Sequence, residues 1–291
     1  MVEILDDAAR ARLRDRFGPS VEPWCDELPA LVERLAKRWS LTVVDARPGN
    51  TGRTLICESP DGPRVLKLTP DQEIAAGEAT ALQSWAGCSR VVQVMEADFE
   101  AGAILLERLE PGTTLFGRDV PWPQIGELLT QIHSVPALGP FPSMAERVTF
   151  MFDLAERRLR APAADRIPVS MLRRARDRSH ELATGGPVAL IHSDLHPGNV
   201  LDAGPARGAV AIDPRPCLGD PAFDTVDWVY LPMAAGGSLD DGIAALRPHV
   251  PDLDVDRVRA WCVALAPLVA MGPLQRGEPL PFTDTLLEMA R

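Results

Sequence analysis

Three oxygen-bearing side chains, Asp194, Asn199 and Asp213, lie close together in the chain. The first two belong to Ile191-His192-Ser193-Asp194-Leu195-His196-Pro197-Gly198-Asn199-Val200-Leu201, the third to Ala211-Ile212-Asp213-Pro214. Moving a phosphoryl group from a nucleotide to a hydroxyl needs one carboxylate to receive the hydroxyl proton and oxygen ligands to hold magnesium on the phosphates. Magnesium prefers hard oxygen donors, usually one or two carboxylates plus substrate phosphates. Asp194 is therefore the candidate proton acceptor, and Asn199 and Asp213 are the candidate metal ligands.

Something must hold these groups together. Residues 199–201 and 209–212 are short apolar runs separated by Asp202-Ala203-Gly204-Pro205-Ala206-Arg207-Gly208, a segment rich in turn formers. The pattern predicts a β-hairpin centred near Ala206, with Asn199 opposite Asp213. Residues directly opposed in a hairpin lie about 4.5–5.5 Å apart, close enough to share a cation.

A cation for the phosphates is also legible. Of the thirty basic residues only Lys37 and Lys67 are lysines. Lys37 belongs to a charged helix face, whereas Lys67 interrupts the apolar strand Arg64-Val65-Leu66-Lys67-Leu68. A lysine kept there suits a need for a compact point charge on a phosphate. The helix that follows begins at Thr69-Pro70-Asp71 and puts Ile74, Glu78, Leu82 and Trp85 on one face. Glu78 on that apolar stripe wants a cation partner, and Lys67 is the nearest candidate. Glu73, on a more polar side of the helix, ranks second. Upstream, strand, loop and strand enclose Arg47-Pro48-Gly49-Asn50-Thr51-Gly52-Arg53. Gly49 and Gly52 make this a candidate flap whose backbone N–H groups lie over phosphates. A plain hairpin turn would leave the same trace.

Around these residues the pattern predicts two leading helices, a small and mostly antiparallel lobe over residues 1–109, and a helical lobe over 110–291. Glu107 and Leu109, at the joint, would offer backbone groups to an adenine edge. A cleft between two lobes is a natural ligand site.

Composition narrows the partners. The net charge is −11, which argues against nucleic acid or an anionic membrane surface and leaves a cationic small molecule in play. The five cysteines are scattered without a C-x-x-C pair, which fits a reducing cytoplasm. The N-terminus is acidic and lacks the basic start of a signal peptide. The longest apolar stretch, 261–274, is interrupted by Pro267 and is short for a bilayer span.

The same residues resemble a known family. Asp194 and Asn199 fit the kinase catalytic-loop spacing H-x-D-L-x-x-x-N. Residues 192–201 are similar to the HGDLHPGNIL signature of aminoglycoside phosphotransferase-like kinases. Residues 212–224, Ile-Asp-Pro-Arg-Pro-Cys-Leu-Gly-Asp-Pro-Ala-Phe-Asp, resemble the IDPKPxxGDPAYD segment of the streptomycin 6-kinase and hydroxyurea phosphotransferase branch. Residues 105–112 are similar to that branch's lobe-linking segment. The resemblance implies an α+β, bilobal protein-kinase-like fold and ATP-dependent phosphorylation of a small-molecule hydroxyl. It implies that Asp194 is the base, that Asn199 and Asp213 bind Mg2+, that Lys67 oriented by Glu78 holds the ATP phosphates, and that Asp224 braces the catalytic loop. Ser193 replaces the usual glycine, and Arg215 stands where lysine is common.

His192 and His196 are expected to pack and fix the loop rather than shuttle protons. Streptomycin is the leading acceptor by resemblance and hydroxyurea the next. Acidic residues of an acceptor pocket would come from Asp240, Asp241, Asp252, Asp254 or Asp256. Two other readings exist. A metal-dependent hydrolase could use His192, Asp194, His196 and Asp213 as ligands, but gives no reason for Lys67 or Glu78. A nucleotide-binding module without catalysis would leave the complete constellation unexplained.

Overall fold

The computed structural model describes residues 2–47, 49 and 51–291; Pro48 and Asn50 of the glycine-containing loop lie outside them. Helices α1 (Asp7–Phe17) and α2 (Glu22–Arg38) lead into strands β1 (Thr42–Arg47), β2 (Arg53–Ser59) and β3 (Gly62–Leu68). Helix α3 (Gln72–Ser84) and strands β4 (Val94–Asp98) and β5 (Ala103–Glu107) follow. These five strands form one antiparallel sheet in the order β1-β2-β3-β5-β4. Next come β6 (Thr113–Thr114), α4 (Trp122–His133), α5 (Met144–Arg158), α6 (Val169–Thr184), β7 (Ala189–Ile191), β8 (Val200–Asp202), β9 (Ala209–Ala211) and β10 (Cys217–Gly219). The chain closes with α7 (Val226–Val229), α8 (Leu239–Leu246), α9 (Val255–Gln275) and α10 (Thr283–Met289). The sheet-then-helices order matches the expected α+β architecture.

The alternation of side chains along a strand explains how the sheet is covered. On one face Leu55, Leu66, Leu68 and Leu105 pack against Leu28, Val32 and Leu35 of α2. On the other, Ile104 and Leu106 join Ala75, Ala79 and Leu82 of α3. Each fully buried leucine contributes about 1.5–3 kcal/mol. That second cluster does not stop at residue 109. It runs on through Leu128, Phe152 and Trp228, so α3 and its sheet face share one apolar core with the helical region. Trp85 at the end of α3 is fully buried, and its Nε1 donates to Ile132 O at 3.0 Å.

Strand β4 begins only at Val94, because Val91 and Val92 pair with Ala211 of β9 instead. Before α7 the chain makes a 3₁₀ turn over Pro221–Thr225. Helix α8 starts at a capping box between Ser238 and Asp241. Helix α9 is, by length and composition alone, long and apolar enough to cross a membrane. Half of its most apolar window is nevertheless buried in the fold, where Trp261, Cys262, Leu265 and Ala266 are core residues.

Candidate active site

The roof of the cleft is set by β3 and α3. Leu66 and Leu68 point into the α2-facing core, so Lys67, one residue out of phase, must point to the opposite face. Asp71 caps α3 by accepting from the N–H groups of Glu73 and Ile74 at 3.1 and 3.2 Å. The cap fixes the helical phase and puts Glu78 over Lys67. Lys67 Nζ donates to Glu78 Oε1 at 2.5 Å and to Asp213 Oδ1 at 2.9 Å. Glu78 is 3% exposed. Glu73, the second-ranked partner, is exposed on the neighbouring groove and does not contact the lysine.

This ammonium therefore bridges two carboxylates from opposite sides of the cleft. Burial alone would lower the Lys67 pKa, but Asp213 and Glu78 override it and hold the ammonium charged. Burial keeps the Glu78 carboxyl above its ordinary value despite Lys67. For Asp213, partial burial is overcome by Lys67 and then Arg215, which hold the carboxyl well below the usual carboxylate range.

The floor is built from the β7–β8 connection and the residues after β9. Asp224 is the anchor. Its carboxylate is buried and accepts from the N–H groups of His192 and Ser193 at 2.8 and 2.7 Å. Ser193 adopts φ 53°, a conformation usually left to glycine, and those two bonds with a third from its Oγ to Arg215 O hold it there. Asn199 Nδ2 donates to the Asp194 carbonyl at 2.9 Å and to Asp194 Oδ2 at 3.2 Å. The amide is thereby oriented, and its Oδ1 is left for a cation. Asp194, Asn199 and Asp213 all line one groove of about 1650 Å³.

The hairpin forms, but its register is shifted from the count. Val200 pairs with Ala211 and Asp202 with Ala209, and Ile212 N donates to Asn199 O. Asn199 is thus opposite Ile212, not Asp213. A slip of one residue would send Asp213 to the wrong face of a regular strand. It does not, because Asp213 leaves the strand in a left-handed conformation, φ 58°, which re-aims its carboxylate toward Lys67.

Of the glycine-containing loop, Gly49, Thr51 and Gly52 border the recess next to Lys67. A Cβ on Gly52 would lie 2.0 Å from Leu68 O, so only glycine lets the loop sit this close to β3. Glu107 and Leu109 line neither this recess nor the groove. The Glu107 N–H already donates to Gln93 O, and its carboxylate accepts from Arg207 Nη1 at 2.7 Å to each oxygen. The Glu107 N–H is thus taken, and an adenine edge would use other backbone groups of this joint.

Both catalytic-segment histidines are held by backbone. His192 Nε2 bonds Ile212 O at 3.0 Å, and the ring stacks on Trp85. His196 Nδ1 accepts from Gly198 N at 3.0 Å, capping the turn before Asn199. Among the described residues no three His, Cys, Asp or Glu side chains gather to hold a metal.

Three contributions were missed from sequence. His133, given no role, bonds Asp224 at 3.0 Å from α4 and completes the anchor. Arg215 lies 3.4 Å from Asp213 and donates to Thr51 Oγ1 at 2.8 Å, tying the floor to the glycine loop. Helix α1 sends Arg12, Asp15 and Arg16 into the groove. No local signal marks these contacts, since each joins distant segments. The five aspartates expected in an acceptor pocket lie elsewhere. Asp240 pairs with Arg259, Asp241 and Asp254 cap helices, and Asp252 and Asp256 are exposed. They were read as a cluster from local charge density, but the fold spends them on helix starts and surface.

Comparison with known proteins agrees with this architecture. The family model described as aminoglycoside/hydroxyurea antibiotic resistance kinase matches residues 38–277. The streptomycin 6-kinase of Streptomyces glaucescens is 34% identical over 229 residues, spanning 77% of this chain and 73% of that protein. The hydroxyurea phosphotransferase of Kitasatospora aureofaciens is 32% identical, spanning 96% and 82%. Among solved structures, choline kinase LicA from Streptococcus pneumoniae superposes with a TM-score of 0.64 at 16% identity, covering 91% of this chain and 97% of that one. Aminoglycoside phosphotransferase APH(4)-Ia gives 0.57 at 14% identity, covering 90% and 97%. The fold is the bilobal kinase-like one, and the chain belongs to the aminoglycoside/hydroxyurea antibiotic resistance kinases, a family of small-molecule phosphotransferases.

Proposed function

We propose that this kinase binds MgATP in the Lys67 cleft and transfers its γ-phosphoryl group to a hydroxyl of a small polar molecule in the adjoining groove. The observation that carries the reading is the Lys67 bridge, 2.5 Å to Glu78 above and 2.9 Å to Asp213 below. It supports a phosphate-binding ammonium beside a metal-binding carboxylate. Related folds have been solved with AMP and with AMP-PNP, which supports a nucleotide here.

The donor set suits magnesium. Asp213 offers a carboxylate held ionised, and Asn199 offers an amide oxygen freed by the bonds its Nδ2 makes. Magnesium, when bound, neutralises charge on the phosphates. The chain's own groups do the rest. Lys67 holds α- and β-phosphate oxygens with Glu78 orienting it, and the Gly49–Gly52 loop covers the phosphates. Asp194 accepts the proton of the attacking hydroxyl, held in place by Asn199 and the Asp224 anchor. Positioning and electrostatics supply most of the rate. An ATP-driven reaction and five free cysteines suit the cytoplasm.

The names of the relatives put an aminoglycoside such as streptomycin first among acceptors to try, and hydroxyurea second. ATP consumption against a panel of hydroxylated compounds, with mass spectrometry for an added phosphate, tests the reading. Phosphate addition that vanishes in Asp194→Asn is the expected result. MgATP failing to bind, or a product forming at full rate in that variant, would overturn it.

A further inference from the structure

The groove next to Asp194 is lined by six arginines and seven carboxylates, but Glu78 and Asp213 are already paired with Lys67. Helix α5 turns Arg147, Phe150, Leu154 and Arg158 toward it at spacings of three, four and four. Its opposite stripe, Met144, Val148, Phe152 and Ala155, is buried in the core. Helix α1 faces it with Arg12 and Arg16. The two helices meet over one ring: the Arg16 guanidinium lies 5.5 Å and that of Arg147 5.8 Å from the Phe150 centroid.

Among the described residues, Arg12, Arg16, Arg147 and Arg158 form no ion pair, although fourteen other arginines do, Arg10 and Arg14 on the same helix α1 included. Buried N–H donors stand unpartnered at Arg12 Nε, Arg147 Nε and Arg215 Nη1. Buried donors are normally satisfied, so each of these wants an acceptor. Burial, then repulsion from Arg158, Arg215 and Arg147, pushes the Arg16 pKa below its ordinary value. Arg147 Nη2 also donates to Ser193 O at 3.2 Å, one residue from the candidate base. Of the groove's remaining carboxylates, Asp71 caps α3 and Glu146 closes the capping box of α5, which leaves Asp15 and Glu73.

We propose that the acceptor of this kinase carries an anionic group, a phosphate or a carboxylate, which Arg16, Arg147 and Arg158 bind while its hydroxyl faces Asp194. Planar guanidiniums held on an aromatic ring are suited to bidentate capture of either anion. A polycation such as streptomycin would meet repulsion there. Helix α1, which supplies Arg16, precedes the residues matched by the family model, whereas Arg147 and Arg158 lie within them. The inference rests on the kinase reading above and refines its acceptor.

The test offers MgATP with alcohols matched in three forms, phosphate-bearing, carboxylate-bearing and uncharged, with streptomycin and hydroxyurea alongside. The expected result is a kcat/KM at least about tenfold higher for one anionic form, since charge-assisted bonds of this kind are among the strongest. The form preferred identifies the anion. In Arg16→Gln and in Arg158→Gln, acceptor KM should rise about tenfold while ATP KM and acceptor-independent ATP hydrolysis hold. Two variants guard against one that fails to fold. Calorimetric titration of inorganic phosphate and of acetate, with saturating magnesium AMP-PNP present, supplies a readout without turnover. Binding weakened by Arg147→Gln supports the proposal, and binding of neither anion overturns it. Preference for streptomycin or an uncharged alcohol, indifferent to the arginine variants, overturns it too while leaving the kinase reading intact. Failure to bind MgATP sinks the kinase reading instead.

Discussion

Two neighbouring regions of the cleft treat charge in opposite ways. Around Lys67 every charged group has a partner of opposite sign within bonding distance: Glu78, Asp213 and, behind them, Arg215. Along α1 and α5, Arg12, Arg16, Arg147 and Arg158 form no ion pair among the described residues. A paired network is rigid before ligand arrives, which suits groups whose task is to hold one geometry. Unpaired cations keep repelling one another until something anionic enters, which suits groups whose task is to select. Under the proposal above, the contrast separates the machinery of transfer from the choice of acceptor.

The comparison can be broken at its strongest point first. Asp194→Asn should cut turnover by about 10²–10⁴ while ATP affinity stays within several-fold, the usual worth of a general base. Steady-state kinetics with the identified acceptor check it, and near-normal turnover would end the assignment. Lys67→Ala should weaken nucleotide use and also destabilise the fold, because Glu78 loses its cation. Removing one partner of a buried pair costs about 3–5 kcal/mol. Lys67→Ala combined with Glu78→Gln should recover part of that loss in denaturant melts. If the double variant melts no higher than the single, the pair is not the source of the effect. Gly52→Ala forces the loop off Leu68 O. It should raise ATP KM by roughly tenfold with acceptor KM little changed; equal effects on both would blur the division drawn here.

A smaller effect concerns pH. Burial, partly opposed by Asp224, holds the His192 pKa below its ordinary value, so the ring is neutral in the fold. A folded pKa below the unfolded one adds stability above about pH 6.5, which is lost as pH falls through that region. Melting curves at pH 7 and pH 5 should show a drop that shrinks in His192→Asn. An unchanged drop would point to other groups. Smallest of all, Asp240→Asn should leave both KM values within about twofold, since Asp240 only pairs with Arg259 on the surface. A large rise in acceptor KM would restore the acidic pocket expected from composition.

Much of the paired region was readable in the linear chain because its signals are local. Asp194, Asn199 and Asp213 sit in one contiguous pattern, and strand and helix periods place Lys67 and Glu78 with no knowledge of the rest. Where local counting failed it failed by one residue: the hairpin centre is shifted, and a left-handed turn at Asp213 compensates. Turn geometry of that kind depends on what the following residues dock against, which no hairpin rule contains.

The amino-acid sequence by itself determined the fold class, the reaction type and which side chains could carry it, because those follow from residue chemistry and periodicity over short spans. Only the tertiary structure decided that His133 anchors Asp224 across 91 residues and that Arg215 reaches Thr51 across 164. It alone put Arg16 of the first helix against Phe150 of the fifth. Contacts between segments so far apart arise from how helices and sheet pack around a shared core. Aspartates that looked like a binding cluster became helix caps for the same reason: proximity in the chain does not decide which surface a side chain faces.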